Sequence, residues 1–501
     1  MENLLAVGIY VLVVGVVFKN AIRYITDEKK RKALGAGKIP AYPQWDPIFG
    51  LDMAWSQMKA LKGHYYIPWL RDIHAGQPKT FSIKFLNTRQ IYTTEPENLK
   101  AMTAVVWKDF GISPLRRFKN IGYPFGDKGV NTTDGDDWVF SRFLIKPFFN
   151  REVYTSSERL RGYTDHFLRI LPPDGQTLNV QPYFQRWFLD VTTDFIFGEP
   201  MDALTHPDRA RITWAMLDVL RGIRLKIQLW KAHKLFDWTW WNSAVHKVHK
   251  YTDAHIDRAY KEIKERKRAS EAGEDVGPER TDLLWFMASN LDDREELRSQ
   301  LCLLLVPNND TTSIFISNCI WHLARNPDAW EKCRQEVLAH GDGPLTFESL
   351  RGMKYVQGIL NETHRLNPNN VTQVRACVKD TTLPLGGGKD GKSPIFVRKG
   401  DMVQVTKTVL QRDPDYFDSH NVDDFVPDRW LDSRHYWNFV PFGGGPRRCP
   451  AQMMVMTETA YMVARLAQTY RKIEARDDNE YTAVMRVGPS NKTGVLVAFT
   501  K

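Results

Sequence analysis

The chain has 501 residues, 43% of them apolar, and a formal net charge of +10. That is enough apolar material for a large core, and basic enough to raise nucleic acid, an anionic membrane or an acidic redox partner as candidates. No nucleic-acid motif appears and the positive charge is spread along the chain, so nucleic acid is set aside, and a generally solvated basic surface explains most of the charges.

In chain order the first feature is an apolar run from Leu4 to Phe18, extended past Lys19 by Ala21, Ile22, Tyr24 and Ile25. It falls slightly short of the ~20 residues of a membrane span, with Lys19 and Arg23 able to snorkel. Lys29, Lys30, Arg31 and Lys32 come after it while only Glu2 precedes it, which keeps the body cytoplasmic. Neither a basic leader nor a small-residue cleavage site marks a signal peptide. Residues 1–25 are therefore expected to form a transmembrane anchor. Residues 26–60, with Pro40, Pro43 and Pro47, are expected to form a stiff basic connector. No linker or repeat divides the rest of the chain, so residues 61–501 are expected to be one large domain.

From about Asp137 the pattern is mostly helical. Helices are predicted over 183–197, 208–236 and 244–267, with a charged surface loop over 268–280. A long helix is predicted from Asp292 or Asp293, both good N-caps, to Arg325 before Pro327, and another over 351–366. Residues 394–406 read as a hairpin turning at Lys399-Gly400, and 494–500 as a final strand. The expected fold is mainly α with small β-sheets.

The most informative segment is Phe442-Gly443-Gly444-Gly445-Pro446-Arg447-Arg448-Cys449-Pro450-Ala451. It places one cysteine at the end of a glycine-rich basic loop, just before an apolar helical stretch from Met453 to Leu466. Glycines permit close approach of the backbone to a flat ligand. A thiolate at a helix N-terminus beside Arg447 and Arg448 is stabilised by the dipole and the charges. One thiolate held against a flat macrocycle is the axial arrangement that favours O–O cleavage at haem iron. The bland alternative is a buried cysteine after a glycine turn. The other cysteines, Cys302, Cys319, Cys333 and Cys377, are scattered and form neither a CxxC pair nor a disulfide framework, which suits a reducing compartment.

Three further constellations accompany the loop. Glu362 and Arg365 share one helical face, and Phe425-Val-Pro-Asp-Arg429-Trp lies after them in the chain. Trp138 and Arg142 lie four apart on another helix. Asp310-Thr311-Thr312 is a polar cluster inside the long helix between apolar turns, which requires a reason.

With these motifs, essentially the whole chain resembles the cytochrome P450 superfamily. The resemblance implies the cytochrome P450 fold with haem b (iron protoporphyrin IX) as cofactor and Cys449 as axial ligand of the iron. It implies Trp138, Arg142, Arg375 and Arg447 at the propionates, where a planar guanidinium suits a carboxylate, and Phe442 at the cofactor. It makes Glu362, Arg365 and Arg429 a buried charge triad that supports the pocket, and Asp310 and Thr311 the acid–alcohol pair that relays protons. Core packing remains the alternative for Trp138, and a kinked helix with back-bonded hydroxyls for Asp310-Thr311-Thr312. As partners it implies NADPH-cytochrome P450 reductase, the bilayer of the endoplasmic reticulum with a single pass, and a lipophilic small-molecule substrate.

Two positions depart from the family pattern. Pro307-Asn308 stands where a small residue and a glycine are usual, and Pro450-Ala451 comes after the cysteine where an apolar residue and a glycine are usual. Pro450 suits a first helical position but has no N–H to offer the sulfur. Residues 381–394 and 188–197 look most like the fungal branch that hydroxylates alkanes and fatty acids. The segment Asn369-Asn370-Val371-Thr372-Gln373-Val374 is more polar than an alkane requires, which favours a fatty acyl or polyketide-type secondary metabolite unless the two asparagines are merely exposed. The expected reaction is insertion of one oxygen atom of O2 into a C–H bond. A haem-thiolate isomerase or dehydratase working without reductase, and a non-catalytic haem- or lipid-binding membrane protein, remain as alternatives.

Overall fold

Capped, apolar-periodic runs become helices in the computed structural model, which describes residues 2–112, 123–126, 129–149, 157–417 and 421–501. The helices that bear on function are α1 (Glu2–Ala33), α2 (Gly135–Ile145), α3 (Gln181–Phe197), α4 (Ile212–Leu229), α5 (Thr239–Glu271), α6 (Arg294–Arg325), α7 (Lys354–Leu366) and α8 (Gln452–Thr469). The Asp293 carboxylate accepts from the N–H groups of Glu295 and Glu296 and so starts α6, which ends before Pro327 as expected. Other boundaries differ from the sequence expectation. The helix expected over 208–236 is shorter and tightens into a 3₁₀ turn, Trp230–Leu235. Helix α5 continues to Glu271, and a short helix, Phe347–Gly352, precedes α7.

Among the described residues no helix is long and apolar enough to cross a membrane. The transmembrane anchor expected over residues 1–25 is therefore not supported. Residues 2–33 do form one helix, but the apolar run stops at Phe18, and Lys19, Asn20 and Arg23 interrupt its extension. The far end of α1 is tied down by ion pairs, Lys30 to Asp380 at 2.6 Å and Asp27 to Arg398 at 2.6 Å.

The chain forms two compact units, one of residues 1–113, 372–413 and 435–448, the other of residues 114–371, 414–434 and 449–501. The first carries β1 (Thr80–Phe85), β2 (Thr88–Thr93), β3 (Phe110–Gly111), β5 (Thr372–Cys377) and β8 (Met402–Thr406) in one sheet, ordered β1-β2-β8-β5-β3. It also carries the antiparallel pair β6 (Thr381–Gly387) and β7 (Ser393–Val397). The hairpin expected over 394–406 is thus not one: β7 pairs with β6, while β8 pairs with β2 and β5. The connection does turn at Gly400 (φ +92°). Asp401 beside it is fully buried against Arg89 and Arg398, which fixes β8 in the larger sheet.

The second unit is mainly helical. It contains the sheet β4-β12-β9 (Leu178–Asn179, Leu496–Thr500, Lys472–Ala475) and the hairpin of β10 (Ala483–Met485) and β11 (Pro489–Asn491). Its core joins Leu144, Ile196, Val219, Trp241, Val245 and Leu301. Helix α6 is buried on nearly every face from Leu297 to Ala324, the mark of a central helix.

Candidate active site

Helix α8 begins at Gln452 with Ala451 as its N-cap, so Cys449 lies just ahead of the first turn, where the helix dipole favours an anion. None of the five cysteines, all among the described residues, is in a disulfide; four are buried and Cys449 is partly exposed. Burial pushes the thiols of Cys302, Cys319 and Cys377 up to about 12, and that of Cys333 upward as well. Those four are inert in water. Cys449 is the thiol that combines access with a helix N-terminus.

The loop leading to it is held within the first unit. Gly445 (φ +66°) takes a conformation that disfavours side chains, and a Cβ there would collide with the Thr103 carbonyl. A Cβ on Gly444 would collide with the Trp437 ring. Lys407, fully buried, donates to the Val440 and Pro441 carbonyls at 3.2 and 3.3 Å, just upstream. Phe442 and Arg447 are partly buried on this loop. Arg375, on β5 opposite Val403, is also partly buried, and its Nη1 donates to the Val374 carbonyl at 3.0 Å.

In the second unit, Trp138 is buried and Arg142 partly buried on α2. Between them Ser141 accepts from Gln300 Nε2 at 2.9 Å, which ties α2 to α6. Helix α6 runs through Pro307 without interruption. Asp310 is 1% exposed; Val487 N–H donates to its Oδ2 at 3.1 Å, and Arg486 Nη1 lies 3.5 Å from Oδ1. Burial pushes this carboxyl above the usual range against the pull of Arg486 and the Val487 N–H. Thr311 Oγ1 donates to the Asn308 carbonyl at 3.3 Å, the back-bonded geometry, and Asn369 Nδ2 donates to the Thr311 carbonyl at 2.9 Å. Asn369 thus spends an amide hydrogen on the helix and Asn370 is exposed, while Asn369 Oδ1 and Gln373 Oε1 are buried with no hydrogen-bond partner among the described residues. Sequence reasoning missed Arg486 and also Asn309, whose Oδ1 is buried and finds no hydrogen-bond partner among the described residues. Nothing local to Arg486 signals its ion pair, since its partner lies far away in sequence.

The triad is brought together. Arg365 donates to both Glu362 oxygens at 2.8 Å, Arg429 Nε to Oε1 at 3.1 Å, Trp430 Nε1 to Oε2 at 2.9 Å and Val426 N–H to Oε1 at 2.9 Å. Burial alone would raise the Glu362 carboxyl, but the bonds and charge of Arg365, the Val426 N–H and the Arg429 charge hold it below the usual carboxylate range. Arg365 also donates to the carbonyls of Val422 (2.6 Å) and Asp424 (3.0 Å), so the cluster staples residues 422–430 onto α7.

In the second unit the accessible thiol of Cys449 at a helix N-terminus has the chemistry of an axial ligand to haem iron, and the first unit carries a glycine loop with no room for side chains. The family comparison decides the matter: residues 47–488 match the cytochrome P450 model. The chain belongs to the cytochrome P450 family. It is similar to the cytochrome P450 monooxygenase opdE of Penicillium oxalicum, 65% identical over 90% of this chain and 95% of that protein. It is likewise similar to the cytochrome P450 monooxygenases iliC of a Neonectria species (61% identical, 96% and 95% covered) and iccC of Talaromyces variabilis (61%, 94% and 94%). This P450 is therefore an oxidoreductase of the monooxygenase type with haem b as its cofactor, which sets aside the non-catalytic reading. None of these three names gives a substrate, so the alkane and fatty-acid branch expected from residues 188–197 and 381–394 is not shown.

Proposed function

We propose that this P450 inserts one oxygen atom of O2 into a C–H bond of a lipophilic substrate, aliphatic or functionalised, with electrons from NADPH through a separate reductase. The observation that carries the reading is Cys449, the partly exposed thiol at the N-terminus of α8 in a chain of this family. Bound through Cys449, haem b supplies the oxygen activation that protein side chains lack. The remaining work falls to the chain. Trp138, Arg142, Arg375 and Arg447 would hold the propionates, and Phe442 would lie at the cofactor. Asp310, raised in pKa by its burial, holds a proton near neutral pH more readily than an exposed carboxyl, and Thr311 orients the water that receives it. The triad of Glu362, Arg365 and Arg429 keeps residues 422–430 in place.

The test is the carbon monoxide difference spectrum of the reduced full-length protein. A red-shifted Soret band of the thiolate type, lost in Cys449→Ser, supports the assignment. An imidazole-type or absent band in folded protein overturns it. Turnover without NADPH or reductase would point instead to isomerisation or dehydration.

A further inference from the structure

A cavity of about 610 Å³ opens beside Tyr123, Lys226, His233, Lys234, Trp238 and Trp241, a size that suits a small-molecule ligand. Its floor is a buried amine: Lys226 on α4 is 5% exposed. The ammonium lies 3.4 Å from the centre of the Trp241 ring and 4.9 Å from that of Trp238. Two indole faces offset part of the cost of burying the charge. Burial still lowers the amine to about 8, so it stays mostly protonated at neutral pH.

The walls are fixed in advance. Trp241 Nε1 donates to the Val219 carbonyl at 3.0 Å, and Gly222 leaves room for the indole, since a Cβ there would collide with it. Trp238 Nε1 donates to the His233 carbonyl at 2.7 Å. Lys234 is exposed at the rim, His233 is partly buried, and no described residue lining the cavity is acidic. A cavity with a buried ammonium, further basic groups and flat aromatic walls suits an anion attached to a planar or apolar body.

Helix α4 also connects to the proposed proton path. Arg224, on the same helix, donates to the Met485 carbonyl, and the next two residues, Arg486 and Val487, are those that hold Asp310. Helix α4 is thus tied to the hairpin beside α6.

We propose that this cavity receives the acidic end of the substrate, a carboxylate on an aromatic or planar lipophilic body, with Lys226 as its counter-ion. Calling the ligand a substrate rests on the monooxygenase reading above; the anion site itself does not.

The experiment is calorimetric titration of the haem-loaded full chain with 2-naphthoate and with its uncharged analogue, 2-naphthamide. At pH 7 the acid is expected to bind about tenfold more tightly or better, as a charge-assisted contact requires. That preference should shrink to about twofold in Lys226→Met, persist in Lys226→Arg, and fall in the native chain as pH rises through about 8. Trp238→Leu should weaken both ligands. Equal affinity of acid and amide in the native chain, no saturable binding of the acid, or an unchanged preference in Lys226→Met overturns the proposal. The native-chain comparisons need no variant to fold. Failure of the monooxygenase reading would appear separately, in the carbon monoxide spectrum.

Discussion

Arg486 and Asp310 meet at 3.5 Å, and the neighbouring Val487 N–H fixes the other carboxylate oxygen. The acid proposed for proton transfer is therefore held from the β10–β11 hairpin rather than by its own helix. Two opposing influences set its state, and burial outweighs the guanidinium, so its folded pKa is raised.

A raised carboxyl binds its proton more tightly folded than unfolded, so its contribution to stability is present below the unfolded value and lost as pH rises through the folded one. Asp310→Asn should therefore stabilise the protein more at pH 7 than at pH 4 in thermal melts, while product formation falls by about 10²- to 10⁴-fold. Arg486→Leu removes a lowering influence and should move the basic limb of the pH–rate profile upward. A melt difference independent of pH would contradict the burial argument.

Glu362 has the opposite sign. Its folded pKa is depressed, so the stability it contributes is present above the unfolded value and lost as pH falls through the folded one. Glu362→Ala strands two buried guanidiniums and should cost roughly 3–5 kcal/mol. Haem content of the purified variant, read from the Soret-to-protein absorbance ratio, should drop to near zero. Normal haem content would sink the structural role of the triad.

Features written in local pattern were legible in the sequence. The N-cap at Asp293 and the stop before Pro327 bound α6 in advance, and the three-residue spacing of Glu362 and Arg365 placed both on one face of α7. What was not legible depends on distant partners. The strands around Gly400 look like a hairpin because their hydrophobic pattern and turn are local, yet buried Asp401 commits β8 to β2 and β5. The hydrogen bond from the Asn369 amide to the Thr311 carbonyl joins residues far apart in the chain, and nothing local announces it. Lys226 reads as a solvated basic residue on an amphipathic helix. Only the fold brings Trp238 and Trp241 over it.

Gly445 should tolerate no side chain. Its positive φ and the Thr103 carbonyl both oppose a Cβ, so Gly445→Ala should displace the loop before Cys449 and weaken haem retention. Gly162 provides the control. It sits within the helix Glu158–Ile170 with open space where a methyl group would stand, and Gly162→Ala should stabilise by about 0.5–1 kcal/mol. Haem loss on dialysis against apomyoglobin separates the two; equal retention would show that the glycine loop has slack.

A further pH dependence should come from Arg159 and Glu458. Glu458 lies further along α8, the helix that starts after Cys449, and is 1% exposed against the Arg159 guanidinium. Burial raises its carboxyl despite the charge and hydrogen bond of Arg159. Arg159→Met removes both lowering influences and leaves a buried carboxylate, at a cost of roughly 3–5 kcal/mol. Because the folded pKa then climbs further, the deficit should widen as pH rises, and urea midpoints should fall more at pH 8 than at pH 5. Glu458→Gln in the same background removes the charge that needs a partner and should recover most of the loss at pH 8 but little at pH 5. If the two pH values give the same loss, or the glutamine rescues neither, the penalty comes from the lost Arg159 packing against Phe195 rather than from the stranded carboxylate.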